Sequence, residues 1–234
     1  MEQNNHKHAV CPVGESHCAF LNELASLRDQ LKEMASLVHT DMLTGLYNLR
    51  FMLPAIEREM ERTRRTGLAT GLIMMDLDHF KKVNDQWGHE VGNQALCHAA
   101  SILRSSVRKI DIPCRYGGEE FAIILPSSDL FAVSQVAERI RSMLARSPLQ
   151  TDGQSITLTA SLGVEMYTSV SVGGAEELVK KADKYLYQAK QSGRNRVCHA
   201  VMTTQVASEV NEEEKNALFD IFVGDNSCYG VVPD

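Results

Sequence analysis

The sharpest periodic signal in the chain lies near its start. Apolar residues fall at Phe20, Leu24, Leu27, Leu31, Met34 and Val38, spaced 4, 3, 4, 3 and 4, with Glu23, Arg28, Asp29, Lys32 and Glu33 on the outer faces. This 3.5-residue repeat describes a coiled-coil seam and predicts a stalk helix over residues 19–40 that pairs with a second copy. The alternative is a single amphipathic helix lying on its own domain, since the repeat spans fewer than three heptads. An isolated helix of this length is marginal in water, so the stalk depends on a partner chain, an adjoining domain or a docked activator.

From Thr40 onward the pattern alternates between periods of two and 3.6. It predicts a buried strand over Gly71–Asp76, a helix over Val91–Arg108, and strands over Ile112–Tyr116 and Phe121–Leu125 around a Gly-Gly turn. Further along it predicts a helix over Leu130–Leu144, a strand over Ile156–Val164, a helix over Ala175–Lys190 and a last strand at Arg196–His199. Strands joined by a tight turn are antiparallel, so the expected class is α/β (α+β) with a mixed or mainly antiparallel sheet, not a doubly wound one.

Composition changes this picture in three places. The 234 residues are 44% hydrophobic and 23% charged, without a run of about 18 apolar residues and without a basic-then-apolar leader, so a cytoplasmic protein with no membrane partner is expected. The net charge of −6 resides in residues 201–234, where seven acids from Glu209 to Asp234 face Lys215 alone. The rest is neutral, which argues against nucleic acid as a partner and leaves anionic ligands to local cation clusters. The tail also carries Leu218-Phe219 and Ile221-Phe222-Val223, as a docking segment or a disordered one would. Finally, the six cysteines have no pairing rhythm and read as free thiols. Residues 1–18, with His6, His8, Cys11, His17 and Cys18, form a polar lead expected to fray, a metal site being the alternative.

Candidate chemistry centres on carboxylates. Asp76 stands where an apolar strand ends, and Glu119 follows Gly117-Gly118 in the hairpin. Strand ends and hairpin tips bring distant carboxylates to one sheet edge, where hard oxygen ligands suit Mg²⁺. Two such ions can clamp the attacking and leaving oxygens of a phosphoryl displacement. The glycines, lacking Cβ, are expected to permit the turn and a close approach by a nucleotide. By itself the hairpin also fits a solvated tip.

Four segments in order break that ambiguity: Asp41-Met42-Leu43-Thr44-Gly45-Leu46-Tyr47-Asn48, then Asp76-Leu77-Asp78-His79-Phe80-Lys81-Lys82-Val83-Asn84-Asp85, then Arg115-Tyr116-Gly117-Gly118-Glu119-Glu120-Phe121, then Tyr187-Gln188-Ala189-Lys190-Gln191-Ser192-Gly193-Arg194-Asn195. Over residues 41–200 the chain resembles the GGDEF family of diguanylate cyclases, which implies a palm-like domain condensing two GTP into cyclic di-GMP.

The resemblance implies that Asp76, the Leu77 carbonyl and Glu119 bind Mg²⁺, two ions per GTP site, with Mn²⁺ able to substitute. Glu119 is implied to take the proton of the 3′-hydroxyl, and Glu120 is implied to be needed for turnover. Lys81, Lys190 and Arg194 match triphosphate contacts; Lys190 and Arg194 share a face if the helix continues through that turn. Phe80, Asn84, His89, Gly117 and Gly118 match nucleotide-binding positions. Asn93 stands where the family has an aspartate, leaving guanine reading short of one acceptor. Arg108-Lys109-Ile110-Asp111, with Arg139, resembles the family's inhibitory product site. The resemblance also implies that two domains, one GTP each, make one active site, so that the stalk would supply the second domain at high effective concentration.

Overall fold

The computed structural model describes residue 23 and residues 26–30, 39–151 and 153–200. In chain order the elements are β1 (Tyr47–Asn48), α1 (Leu49–Thr66), β2 (Thr70–Leu77), α2 (Phe80–Ser106), β3 (Ile112–Arg115), β4 (Glu120–Leu125), α3 (Leu130–Arg146), β5 (Leu149–Thr151), β6 (Gln154–Ile156), β7 (Ala160–Tyr167), α4 (Ala175–Gln191) and β8 (Val197–His199). Six strands form one sheet in the order β1-β3-β4-β2-β7-β8, and β5-β6 form a separate hairpin. The three central pairings, β3-β4, β4-β2 and β2-β7, are antiparallel, while the outer strands β1 and β8 add in parallel. The expected mainly antiparallel α/β sheet is therefore the one observed.

Alternation along β2 explains how the site is placed. All eight of its residues are buried, and they divide between two cores. Ile73, Met75 and Leu77 pack with α2 and α3, while Leu72 and Met74 pack with α1 and α4. A period of two puts Asp76 on the α4 side. In β4, Ala122 and Ile124 share that side, so Glu120 does too. Burying both faces of a strand this apolar is the main stabilising term of the domain.

Several expectations are corrected. The stalk segment is helical and exposed at Glu23 and residues 26–30, but His39 is not helical and Thr40 bridges to Tyr47, so the helix does not reach residue 40. The remainder of the stalk repeat, the lead 1–18 and the tail 201–234 lie outside the described residues. The helix expected over Val91–Arg108 is present from just past the non-helical Gly88 (φ 82°, ψ 165°) to Ser106, and a further helical segment from Phe80, which was not expected, precedes that kink. The strand expected over Ile156–Val164 is divided between β6, which ends at Ile156, and β7, which starts at Ala160, with Thr157, Leu158 and Thr159 between them. Helix α1 has no counterpart in the sequence reading; Pro54 and a charge-rich second half hide an apolar stripe of Met52, Ile56 and Met60, capped by Asn48, which accepts from Phe51 N, and by Gly67 at φ 75°.

Candidate active site

Antiparallel register sets Asp76 directly opposite Glu120. Like charges at facing positions repel, so this pairing costs the fold something it must offset elsewhere. Glu119 joins them from the hairpin, held by Leu77 N donating to its carbonyl at 3.3 Å. The tip is closed by Tyr116 N and Gly117 N donating to the Glu120 carbonyl at 2.8 and 3.2 Å. Lys190, in the last turn of α4, brings its ammonium to 2.8 Å from Asp76 Oδ2.

The electrostatics reflect this crowding. Burial pushes the Asp76 carboxyl above the ordinary range, Glu119 and Asp78 push the same way, and Lys190 opposes them. Glu120 is also raised, first by burial, then by Asp76 and Asp183. A cluster with three carboxylates and one nearby ammonium favours cations. Among the described residues there is no group of three or more histidine, cysteine, aspartate or glutamate side chains arranged to hold a metal by themselves. That donor set fits Mg²⁺, which takes one or two carboxylates and completes its shell with water and substrate phosphates.

The remaining candidates sort by element. Phe80 is buried at the start of α2, with Lys81 exposed and Asn84 half-buried on the same first segment, and His89 and Asn93 exposed beyond the Gly88 kink. Gly92 backs Asn84 closely: a Cβ there would lie 1.9 Å from Asn84 Oδ1. Neither hairpin glycine has a left-handed φ, so the turn does not require them for that reason. At Gly117 a Cβ would meet Glu120 Oε2 at 2.9 Å, whereas Gly118 opens onto free space. Helix α4 ends at Gln191 and Arg194 has φ 60°, so Lys190 and Arg194 do not share a helical face.

The second constellation is also assembled. Asp111 is buried and its Oδ2 accepts from Arg108 N at 2.7 Å, while its Oδ1 is buried without a hydrogen-bond partner. Burial raises the Asp111 carboxyl, against the opposing charges of Arg108 and Arg139. Arg139 donates to the Ser106 carbonyl at 2.5 Å.

Asp41 and Arg115 stand in the motifs above but have no task in the sequence pattern alone. Arg115 donates to both Asp41 carboxylate oxygens at 3.1 and 3.2 Å and to the Gly117 and Gly118 carbonyls, so it ties the hairpin tip to the loop where the domain begins. Burial pushes the Asp41 carboxyl up, but bonds from Thr44 and Arg115 outweigh it and leave it below its usual value. Among the described residues, no helix is long and apolar enough to cross a membrane.

A family model described as diguanylate cyclase, GGDEF domain, matches residues 38–196. The response regulator PleD of Caulobacter vibrioides is 41% identical over 173 residues, which is 73% of this chain and 38% of PleD, so the chain spans well under half of that relative. Two solved structures are similar with TM-scores of 0.66. The coiled coil and GGDEF domain of DgcB from Caulobacter crescentus, in complex with c-di-GMP, is 30% identical, with 76% of this chain and 94% of that one covered. The diguanylate cyclase SiaD from Pseudomonas aeruginosa, in complex with its activator SiaC, is 33% identical, with 77% of this chain and 72% of that one covered. With sheet order, facing carboxylates and a family match over most of its length, the chain belongs to the GGDEF family of diguanylate cyclases.

Proposed function

We propose that this domain condenses two GTP into cyclic di-GMP, releasing two pyrophosphates. The observation that carries the reading is the facing of Asp76 and Glu120 at a sheet edge shared with Glu119 and Lys190. Asp76, the Leu77 carbonyl and Glu119 would hold Mg²⁺, or Mn²⁺ in its place, with two ions per GTP. Bound there, the ions neutralise phosphate charge and make the 3′-hydroxyl more acidic. Glu119 accepts the 3′-hydroxyl proton, the 3′-oxygen bonds to the α-phosphorus of the GTP on the opposite domain, and the bond from that phosphorus to pyrophosphate breaks. Glu120 completes the acidic cluster. Lys81, Lys190 and Arg194 bind the triphosphate as point charges and a guanidinium fork, and Gly117 and Gly118 leave room for it. Phe80, Asn84, His89 and Asn93 line the guanine end.

Each chain carries half of the reaction centre, so the acting unit is a homodimer joined by the stalk, and residues 1–18, 19–40, 41–200 and 201–234 act as lead, stalk, cyclase domain and tail. SiaD, described with an activator, supports a similar partner on the stalk here. DgcB, described with c-di-GMP, supports product feedback through Arg108, Asp111 and Arg139. The second reading, a binding module of low turnover, is favoured only by Asn93.

The test is incubation of the purified chain with GTP and Mg²⁺, alone and with added activator, and separation of the nucleotides formed. Cyclic di-GMP supports the cyclase; bound but unconverted GTP supports the module. Arg108→Ala is expected to raise the product concentration needed for half-inhibition by roughly tenfold or more, since a charge-assisted contact is lost. Unchanged inhibition would remove the site. Gly92→Ala is expected to weaken GTP binding about tenfold in a calorimetric titration, because its methyl drives the Asn84 amide aside.

A further inference from the structure

Asp78 lies two residues beyond Asp76, is 8% exposed, and has no role in the chemistry above. Its carboxylate is fully engaged. Thr159 Oγ1 donates to it at 2.8 Å, Ser161 Oγ at 2.7 Å and Asn195 N at 3.0 Å, and Asp78 N in turn donates to the Thr159 carbonyl at 2.8 Å. One hydroxyl comes from Thr159, just before β7, and the other from Ser161, within it. The third bond is of a different kind, because it joins the end of β2 to the turn between α4 and β8.

That turn adopts a conformation which side chains disfavour. Gly193 has φ 112°, and the two residues after it, Arg194 and Asn195, have φ of 60° and 45°. Successive left-handed residues persist only where surrounding bonds enforce them. Here Arg194 N donates to the Ala189 carbonyl at 3.0 Å, Arg141 Nη1 donates to Asn195 Oδ1 at 2.8 Å, and Asp78 fixes Asn195 N. The Asn195 N–H lies in one peptide plane with the Arg194 carbonyl. Fixing that N–H fixes ψ of Arg194, and with it the direction in which the arginine leaves the backbone.

We infer that Asp78 is a positioning residue for Arg194. It touches no substrate atom; it holds the Arg194–Asn195 peptide and so locks a phosphate-binding cation to the strand end that carries Asp76. The inference rests on Arg194 being a triphosphate contact. A nearby charge that acted only through the general field would need no bond to Asn195 N, and a residue that only stabilised β7 would need only Thr159 and Ser161.

The test is a double-mutant cycle on the full chain, read as the dissociation constant of a non-hydrolysable GTP analogue with Mg²⁺ and as KM and kcat for GTP. Asp78→Ala is expected to weaken analogue binding and raise KM about tenfold, with kcat at saturation changed by less than about threefold. Arg194→Ala is expected to weaken binding similarly, and the double variant to bind no worse than Arg194→Ala alone. Wild-type binding by a folded Asp78→Ala, or an equal loss in the Arg194→Ala background, would overturn the inference. Wild-type binding by Arg194→Ala would instead remove the triphosphate reading and the inference with it. Should Asp78→Ala not fold, Asp78→Asn keeps the shape and one carbonyl acceptor. Its loss is expected to be about threefold and to vanish in the Arg194→Ala background; unchanged binding, or a loss that persists there, overturns the inference.

Discussion

Asp76→Asn is expected to lower turnover by at least about 10²–10³-fold while leaving the melting temperature unchanged or raised. The two effects have one cause. Asp76 faces Glu120 across the β2-β4 ladder, and burial holds both carboxyls above their ordinary range. A carboxyl whose folded pKa is raised stabilises the fold when protonated, and that contribution is lost as pH rises through the folded pKa. At neutral pH the ionised Asp76 therefore works against folding. Asparagine removes the repulsion and gives up the ion pair with Lys190, whose side chain is 32% exposed against 12% for Asp76. Mg²⁺ offsets the same repulsion, so it should raise the melting temperature of the natural chain by mass action and do so far less for the variant. Scanning calorimetry with and without Mg²⁺, beside a turnover assay, checks all three points. A variant that is active, or one that melts many degrees lower, would mean that Asp76 is a structural acid.

The same ladder shows which features are legible from a sequence. Strand β2 is a run of apolar residues with Asp76 near its end, and Gly117-Gly118 form the turn between β3 and β4, so the carboxylate edge could be anticipated from local pattern alone. Helix α1 could not, because Pro54 and the charges of its second half mask a stripe that shows only when Met52, Ile56 and Met60 meet Leu72 and Met74. Lys190 and Arg194 would share a face only if α4 continued through Arg194, but it ends at Gln191 and Gly193 then takes φ 112°. The Asp78 to Asn195 bond and the Asp41 to Arg115 pair join residues 117 and 74 positions apart. Each partner sits in a recognisable motif, yet a motif records which residues are present and not which of them meet.

Gly163→Ala is expected to be the most damaging small substitution for the fold, although it adds one methyl. Gly163 lies in β7 on the face covered by α4, and a Cβ there would fall 2.2 Å from the Ala182 carbonyl oxygen, 2.2 Å from Leu186 N and 2.8 Å from the Tyr185 carbonyl carbon. These are backbone atoms, so no side chain can rotate away. Either α4 lifts from the sheet or β7 bends, and interiors at native density yield poorly to both. Overpacking of this kind costs about 1–3 kcal/mol, and more where backbone must move. At about 2–4 °C per kcal/mol for a domain of this size, the melting temperature should fall by several degrees. Activity should fall further than stability at temperatures where the variant is still folded, because Lys190 lies in the last turn of α4 and any lift moves its ammonium away from Asp76. Gly118→Ala provides the contrast: a Cβ there meets nothing within 4 Å, so its melting temperature should stay within about 1 °C of the natural chain. If Gly163→Ala melted like Gly118→Ala, the close seating of α4 on β7, and the reason Lys190 reaches the carboxylates, would both be wrong.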